Sequence, residues 1–234
     1  MVIRIMDATY RAQYKNHLSN VVPEIRIQTR SRQELEEVES HLRKIASKPN
    51  GLELLWRIKH LSNDGRHLQI ITYDGDNGVA GRLTERQLKA TNASENPDDH
   101  NHVSLMYAFS RIRPDNTNNL GVIGTIKYNL KQGVELDRYG FPTGFNDFKE
   151  TNFVSLAHEL VHAYHLMNGT YFTSDPIATV AIANSSMRQE EDRAVGVGRF
   201  IGSRLSENGI RIEHNLPLRA HYLSREQIRK FNTY

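Results

Sequence analysis

The segment from Thr151 to Gly169 holds the residues best suited to chemistry, because it contains His158-Glu159-Leu160-Val161-His162. Two histidines four positions apart lie one turn apart on the same face of an α-helix. Imidazoles placed in this way can bind one Zn²⁺ through nitrogen atoms at about 2.0–2.1 Å. Glu159 can take a proton from a water that the metal activates and pass it to a leaving amine. The pattern therefore predicts a zinc site with Glu159 as its general base.

A catalytic zinc ion usually takes three protein ligands and keeps one position open. The chain has no cysteine, so the third ligand must be a histidine or a carboxylate. The longer motif H-E-x-x-H-x-x-G-x-x-H does not fit, because His165 replaces its glycine and Asn168 its last histidine. His165 is open to two interpretations, a group that supports the site or an ordinary helix residue against a polar patch.

A carboxylate from a second helix is the remaining choice, and the acidic cluster Glu190-Glu191-Asp192 lies downstream. We predict Glu191 as the third ligand, because Glu-x-x-Ala, completed here by Ala194, matches the ligand-bearing helices of many His₂Glu peptidases. Glu190 is the alternative. The cluster can also be explained as a solvated acidic helix start that the helix dipole favours.

The oxyanion that develops during amide hydrolysis needs a hydrogen-bond donor or a positive charge. The C-terminal part of the chain offers four candidates: Tyr222, Arg219, His214 and His221. We predict Tyr222 and Arg219 for this task, with a structural role as the alternative for each.

The histidines must be positioned by a helix that is apolar on most sides, which predicts a buried core helix. Thr151 or Asn152 can cap its start, and Asn168-Gly169 can end it. The second, acidic helix is predicted to start near Met187, with Ser185 or Ser186 as its cap.

Other periodic segments supply the surrounding scaffold. Ser31 and Glu34 form a capping-box pattern that starts an amphipathic helix over residues 32–46. A second short helix follows, and its Trp56 is expected in the core. Strands are predicted at 67–73, 104–113 and 121–129, the last two forming a hairpin. Strands that precede helices in this way predict an α+β fold with a small antiparallel sheet.

Composition restricts the class of protein. The 234 residues carry a net charge of +3 at pH 7, and the mean hydropathy is −0.59. No run reaches the roughly 20 apolar residues of a membrane span, and no Lys/Arg-rich block predicts nucleic-acid binding. The N-terminus lacks the apolar core of a secretory signal. We predict a monomer with a poorly ordered N-terminal segment, 1–30, and a single metallopeptidase domain, 31–234.

Three motifs that follow one another resemble a known family. They are Leu156-Ala-His-Glu-Leu-Val-His-Ala-Tyr-His165 with Asn168-Gly169, Glu190-Glu-x-Arg-Ala-Val-Gly196, and Ser206-Glu-Asn-x-Ile-Arg211 with Leu216-Pro-x-Arg219-x-x-Tyr222. Together they resemble the NleD/HopH-type effector metallopeptidases, which type III systems of Gram-negative pathogens secrete. The resemblance covers residues 120–222 and implies a zincin-like fold with the HExxH helix at its centre.

The resemblance also implies an activity. It indicates an endopeptidase with one zinc ion per chain, held by His158, His162 and one of Glu190 and Glu191. The implied substrates are host stress-activated MAP kinases of the JNK and p38 groups, cut in the activation loop to suppress host signalling. Such a protein reaches the host cytoplasm through a bacterial secretion system without a cleaved signal peptide, and a secretion chaperone is a further expected partner.

Two alternatives are retained. One is a zinc peptidase toxin with another protein substrate. The other is a non-catalytic effector that binds kinases and whose histidines are structural. For a peptidase, we expect the substrate to lie extended in a cleft and to pair with the edge of the strand predicted at 121–129.

Overall fold

The computed structural model describes residues 14–62, 65–147, 149–172 and 185–231. The strands in these ranges form a five-stranded sheet and a separate two-stranded hairpin. They are β1 (Lys15–Leu18), β2 (Ile25–Thr29), β3 (Leu68–Thr72), β4 (Gly78–Arg82), β5 (Ile123–Tyr128), β6 (Gly133–Leu136) and β7 (Pro142–Asn146).

The helices pack around these sheets. They are α1 (Arg32–Ala46), α2 (Pro49–Leu61), α3 (Glu85–Thr91), α4 (His100–Ser110), α5 (Asn152–Met167), α6 (Ser186–Val195), α7 (Glu207–Glu213) and α8 (Arg225–Phe231), with a 3₁₀ turn at Gly198–Phe200. No helix of the described residues is long and apolar enough to cross a membrane.

The large sheet has the strand order β1-β2-β3-β5-β4 and confirms the α+β class. Its centre differs from the antiparallel sheet that the sequence predicted, because β2, β3 and β5 run parallel. The helices α1 and α2 connect β2 to β3, and a helical crossover of this kind returns the chain to the same end of the sheet. Ile27, Ile70 and Ile126 lie side by side across the three parallel strands and are fully buried.

The position of β5 rules out one expected contact with substrate. This strand was expected to offer a free edge, but it lies between β3 and β4 and is hydrogen-bonded to both. The expectation was therefore wrong. On this side of the sheet the outermost strand is β4.

The strand predicted at 104–113 is instead helix α4, so the predicted hairpin with β5 does not form. The Asp99 side chain starts this helix by accepting the backbone N–H groups of Asn101 and His102. His102 is buried, donates from Nδ1 to the Ser94 carbonyl at 2.8 Å and accepts the Leu83 N–H. The local apolar run suited either element, and these tertiary contacts determine the helix.

The N-terminal region also differs from its prediction. Residues 15–29, inside the segment expected to be poorly ordered, form β1 and β2. Ile25, Ile27 and Thr29 alternate along β2 and are fully buried, so burial of one face explains why this part of the segment is ordered. Residues 1–13 lie outside the described residues.

Helix α2 buries a face that does not include its tryptophan. Leu54, Leu55 and Ile58 fill the core, whereas Trp56 is 56% exposed and contacts the ring of His60. Trp56 lies on the opposite side of the helix from Ile58, so the expectation that Trp56 lies in the core was wrong.

Helix α5 is the central element, and each of its residues from Asn152 to Met167 is buried. It contacts β5 and β4 on the sheet and α1, α2, α6 and α7 among the helices. Gly169 follows the helix with φ of +66°, and a Cβ there would lie 2.4 Å from the Asn119 carbonyl oxygen. The predicted end of the helix is therefore correct, and only glycine fits it.

Candidate metal centre and cleft

Helix α5 brings together the two histidines of the HExxH motif. The Nε2 atoms of His158 and His162 lie 3.1 Å apart. Oε2 of Glu191, from helix α6, lies 3.3 Å from the first and 3.2 Å from the second. The three side chains that the sequence predicted as ligands thus direct one atom each toward a common point.

Local sequence explains how α6 presents Glu191. Ser185 caps the helix by accepting the Arg188 N–H, as predicted, and Gly196 ends it in the left-handed conformation. Ala194 is fully buried, three positions after Glu191, and α6 contacts α5. A small residue at this position allows the two helices to approach closely.

The donor set fits a zinc ion. Ligand atoms around a tetrahedral zinc with bonds of 2.0–2.1 Å lie about 3.3–3.4 Å apart, and the three atoms here lie 3.1 to 3.3 Å apart. The Nδ1 atom of His158 is 3.0 Å from Glu207, and that of His162 is 3.1 Å from Glu190. Because a carboxylate only accepts, each Nδ1 carries a hydrogen, so Nε2 is the atom that would give its lone pair to a metal. A metal cation would satisfy all three converging atoms at once.

Electrostatics at this point favour positive charge. Burial lowers the pKa of His162, but the carboxylates of Glu191 and Glu190 outweigh it and hold the pKa well above its usual value. Burial raises the pKa of Glu191, but His162 and His158 outweigh that effect and hold it below its usual range. A cation at this site would meet a carboxylate that remains ionised.

Glu190, the alternative ligand, lies behind the histidines and makes a different set of contacts. Oε1 accepts from Nδ1 of His162 and, at 2.6 Å, from Nδ1 of His165, while Oε2 accepts the Phe172 N–H. Glu190, His162 and His165 could also hold a cation geometrically. However, those atoms are hydrogen-bonded to one another, and neither Glu190 nor His165 borders the cleft described below. The contact with Glu190 favours the supporting interpretation of His165.

Glu207 is a site residue that the sequence reasoning missed. It is 1% exposed and accepts from Nδ1 of His158 at 3.0 Å, Nε of Arg211 at 2.8 Å and Nη1 of Arg219 at 3.0 Å. Burial raises the pKa of Glu207, but the two arginines outweigh it and hold the pKa well below its usual range. The available signal was its place in the third motif, between Ser206 and Arg211, to which no role was given.

The predicted oxyanion residues lie beside His158. The Tyr222 ring stacks on the His158 ring, with centroids 6.3 Å apart and planes 17° apart. The charge of Glu191, together with burial, raises the pKa of Tyr222, so the hydroxyl remains a donor at neutral pH. Arg219 donates to the backbone carbonyls of His221 and Tyr222 as well as to Glu207.

The other two candidates lie outside the cleft. His214 contacts the ring of Phe153, and His221 stacks on Phe141. Neither is among the residues that line the cleft.

Glu159 faces a cleft of about 290 Å³. The residue is 8% exposed, and burial raises the pKa of its carboxyl group. The cleft is lined by Asp76, Asn77, Gln132, Val134, Phe145, Ser155, His158, Glu159, Glu207, Arg219 and Tyr222. The predicted general base, one predicted ligand and the predicted oxyanion donor therefore share one solvent-accessible space.

Comparison with known proteins identifies the family of this chain, whereas the solved structures that it matches are only distantly similar. The Clostridium botulinum neurotoxin serotype F light chain is 16% identical with a TM-score of 0.41, over 79% of this chain and 49% of that chain. The botulinum neurotoxin serotype HA light chain is 13% identical with a TM-score of 0.41, over 97% of this chain and 60% of that chain. The chain thus spans about half the length of the first light chain that it matches. No curated protein matches the chain.

The family match covers most of the chain. The model of the peptidase M91 family, described as "Effector protein", matches residues 25–222. The name and description of the family mark its members as peptidases that act as effector proteins. The family expected from the three sequence motifs is thereby confirmed: the chain belongs to the peptidase M91 family of effector proteins.

Proposed function

We propose that this protein is a zinc endopeptidase that binds one zinc ion through His158, His162 and Glu191. We propose further that it cleaves host stress-activated MAP kinases of the JNK and p38 groups in the activation loop and so suppresses host signalling. The observation that carries the chemistry is the convergence of two Nε2 atoms and one carboxylate oxygen within 3.3 Å, beside Glu159. The kinase substrate rests on the resemblance to the NleD/HopH-type effectors.

The residues around the site have distinct roles in this proposal. When bound, zinc polarises the scissile carbonyl and lowers the pKa of water to about 7. Glu159 accepts a proton from the attacking water and returns it to the leaving nitrogen, and burial suits it to both steps by raising its pKa. Glu207 and Glu190 hold the imidazole rings in the orientation that presents Nε2.

The oxyanion is stabilised from the side of the cleft that Tyr222 lines. The Tyr222 hydroxyl donates a hydrogen bond as negative charge develops on the carbonyl oxygen. Arg219 adds positive charge, and its hydrogen bonds to the His221 and Tyr222 carbonyls hold the tyrosine in place. The substrate enters between this segment and the apolar wall that Val134 and Phe145 form.

The test combines zinc content with cleavage of recombinant JNK and p38 kinases. Three proteins are compared: the unmodified chain, Glu159→Gln and, as a matched control, Glu36→Gln on the exposed side of α1. We expect one zinc per chain in all three, and a loss of turnover of about 10²- to 10⁴-fold in Glu159→Gln alone. Retained cleavage by Glu159→Gln would contradict the assignment of Glu159 as the general base.

Other outcomes separate the alternatives. Zinc binding without kinase cleavage would keep the metal site and discard the kinase substrate, which favours a peptidase toxin with another target. If no zinc binds and added zinc restores nothing, the peptidase proposal fails and the kinase-binding effector is favoured.

A further inference from the structure

A set of contacts outside the metal site joins two walls of the cleft. Residues 137–141 connect β6 to β7, and they contact residues 218–225, which carry Tyr222. The Ala220 N–H donates to the Gly140 carbonyl at 2.8 Å. Gly140 has φ of +81°, and a Cβ there would lie 2.5 Å from the Leu218 carbonyl oxygen. Glycine is therefore required for the two backbones to meet.

Arg225 extends this junction. Its Nε lies 3.0 Å from Oδ2 of Asp137, and its guanidinium carbon lies 4.2 Å from the Phe141 ring centroid and 4.8 Å from the Tyr139 centroid. Oδ1 of Asp137 accepts the backbone N–H groups of Tyr139 and Phe141. One carboxylate thus closes the turn with one oxygen and holds the arginine with the other. We call Asp137, Tyr139, Phe141 and Arg225 the clasp.

The clasp lies next to Tyr222 in both sequence and space. Phe141 contacts Arg225 and also stacks on His221, with centroids 5.9 Å apart. His221 immediately precedes Tyr222, so the clasp restrains the chain on both sides of the tyrosine. The same hairpin carries Val134 and Phe145, which line the cleft together with Tyr222.

The exposure of the clasp argues against a role limited to stability. The side chains of Arg225 and Asp137 are 46% and 24% exposed, and exposed ion pairs contribute little to the stability of the whole fold. None of the four residues belongs to the buried core. Their contacts do, however, set the distance between the β6–β7 hairpin and the Tyr222 segment.

We propose that Arg225 is a positioning residue that acts through the clasp to hold Tyr222 beside His158. Its effect on catalysis rests on the proposed function, because the Tyr222 hydroxyl assists turnover only if the protein is a peptidase. The restraint of residues 218–224 is a property of the fold and can be measured without substrate.

The first experiment measures backbone amide exchange of residues 218–224 in the full-length, zinc-loaded protein. We expect Arg225→Ala to speed exchange of the Ala220 amide by about tenfold or more. Arg225→Lys, which keeps the charge, should restore part of the protection. Glu226→Ala is the matched control, because it removes an exposed charge from the next position of α8. Exchange in Arg225→Ala equal to that of the control would overturn the proposal.

The second experiment measures kcat and KM on a cleaved substrate. We expect Arg225→Ala to lower kcat by about tenfold with a small change in KM, since an oxyanion donor acts mainly in the transition state. In a Tyr222→Phe background, Arg225→Ala should have little further effect. A full additional loss of kcat in that background would overturn action through Tyr222.

Control measurements keep the proposals distinct. Zinc content should not change in Arg225→Ala, because its contacts include none of the proposed ligands. If Arg225→Ala lowers the melting temperature strongly, Arg225→Gln, which keeps the length and a donor, replaces it in both experiments. If the unmodified protein cleaves no protein substrate, the proposed function fails, and amide exchange still decides whether the clasp restrains the segment.

Discussion

Two buried carboxylates, Glu207 and Glu190, stand behind the histidines of the site, and their surroundings differ. Each is 1% exposed and accepts a hydrogen bond from an imidazole Nδ1. Glu207 is neutralised by Arg211 and Arg219 at 2.8 and 3.0 Å. Glu190 instead accepts from a second imidazole and a peptide N–H, and Arg193 lies 3.9 Å away.

Both carboxylates orient an imidazole, but each also makes a second contact that the other does not make. Glu207 ties His158 to Arg219 and so to the Tyr222 segment. Glu190, on α6, links His162 to His165, and both of these histidines belong to α5. Burial raises the pKa of Glu190, but His165 and His162 outweigh it and bring the pKa to about 2. Loss of Glu207 should therefore disturb the fold, whereas loss of Glu190 should disturb mainly metal affinity.

The largest expected effect is that of Glu207→Ala. Removing one partner from a buried ionic network leaves two guanidinium groups without a counter-charge, which costs about 3–5 kcal/mol. The free energy of unfolding, measured by urea denaturation of the zinc-loaded protein, should fall by that amount. Glu36→Ala, which breaks an exposed ion pair with Arg32, provides the comparison. A loss as small as that of this control would show that Glu207 contributes no more than a surface charge.

Arg211→Met should have the next largest effect. It removes the 2.8 Å ion pair but keeps an apolar side chain of similar length, and Glu207 retains Arg219. A hydrogen bond to a charged group contributes about 1.5–3 kcal/mol, so the same denaturation measurement should show a loss in that range. A loss equal to that of Glu207→Ala would mean that Arg219 does not compensate.

Glu190→Gln should leave the fold intact and weaken zinc binding. A glutamine carries no charge to orient two imidazoles at once, and removing such a supporting carboxylate typically lowers metal affinity about 10- to 100-fold. Competition with a chelator measures the affinity. Asp192→Asn, on the same helix and paired with Arg188 instead, is the matched control. If Glu190→Gln kept its zinc affinity but lost folding stability, Glu190 would support the fold, as Glu207 is expected to do, and not metal binding.

The smallest effect at neutral pH concerns His41, a buried histidine whose partner is the Tyr128 hydroxyl. Without a carboxylate, burial lowers the pKa of His41 to about 4. Below pH 6.5 the unfolded chain binds a proton at His41 before the folded chain does. The free energy of unfolding should therefore fall as the pH drops from 6.5 toward 4, by up to about 1.4 kcal/mol per pH unit.

The measurement for His41 compares urea denaturation at several pH values between 7 and 4.5. In His41→Gln the dependence on pH should be weaker over this interval, because the titrating group is absent. An identical slope in the variant would assign the dependence to other groups.

Local spacing accounts for the helix predictions that the structure confirms. The helix predicted over 32–46 has those bounds, because Ser31 caps it and its apolar residues follow one face. His158 and His162 are placed by the geometry of a single helix. Glu191 required the further inference that two helices pack closely, and the motif around Ala194 supplied it.

Predictions failed where tertiary contacts decide the outcome. The run from Val103 to Phe109 has no decisive period, and its neighbours determine that it is helical. The role of Glu207 depends on residues 49 positions before it and 12 positions after it, His158 and Arg219. No local pattern marks a carboxylate as the centre of such a network, so its position in the fold was needed.

The complete burial of helix α5 has a kinetic consequence for the metal. Among its residues, only Ser155, His158 and Glu159 line the cleft. The cleft is one route by which solvent reaches His158 and Glu159, and in the proposed function substrate and zinc share it. A peptide bound in the cleft should therefore slow the transfer of zinc to a chelator, so that occupancy by substrate lengthens the time that zinc stays bound.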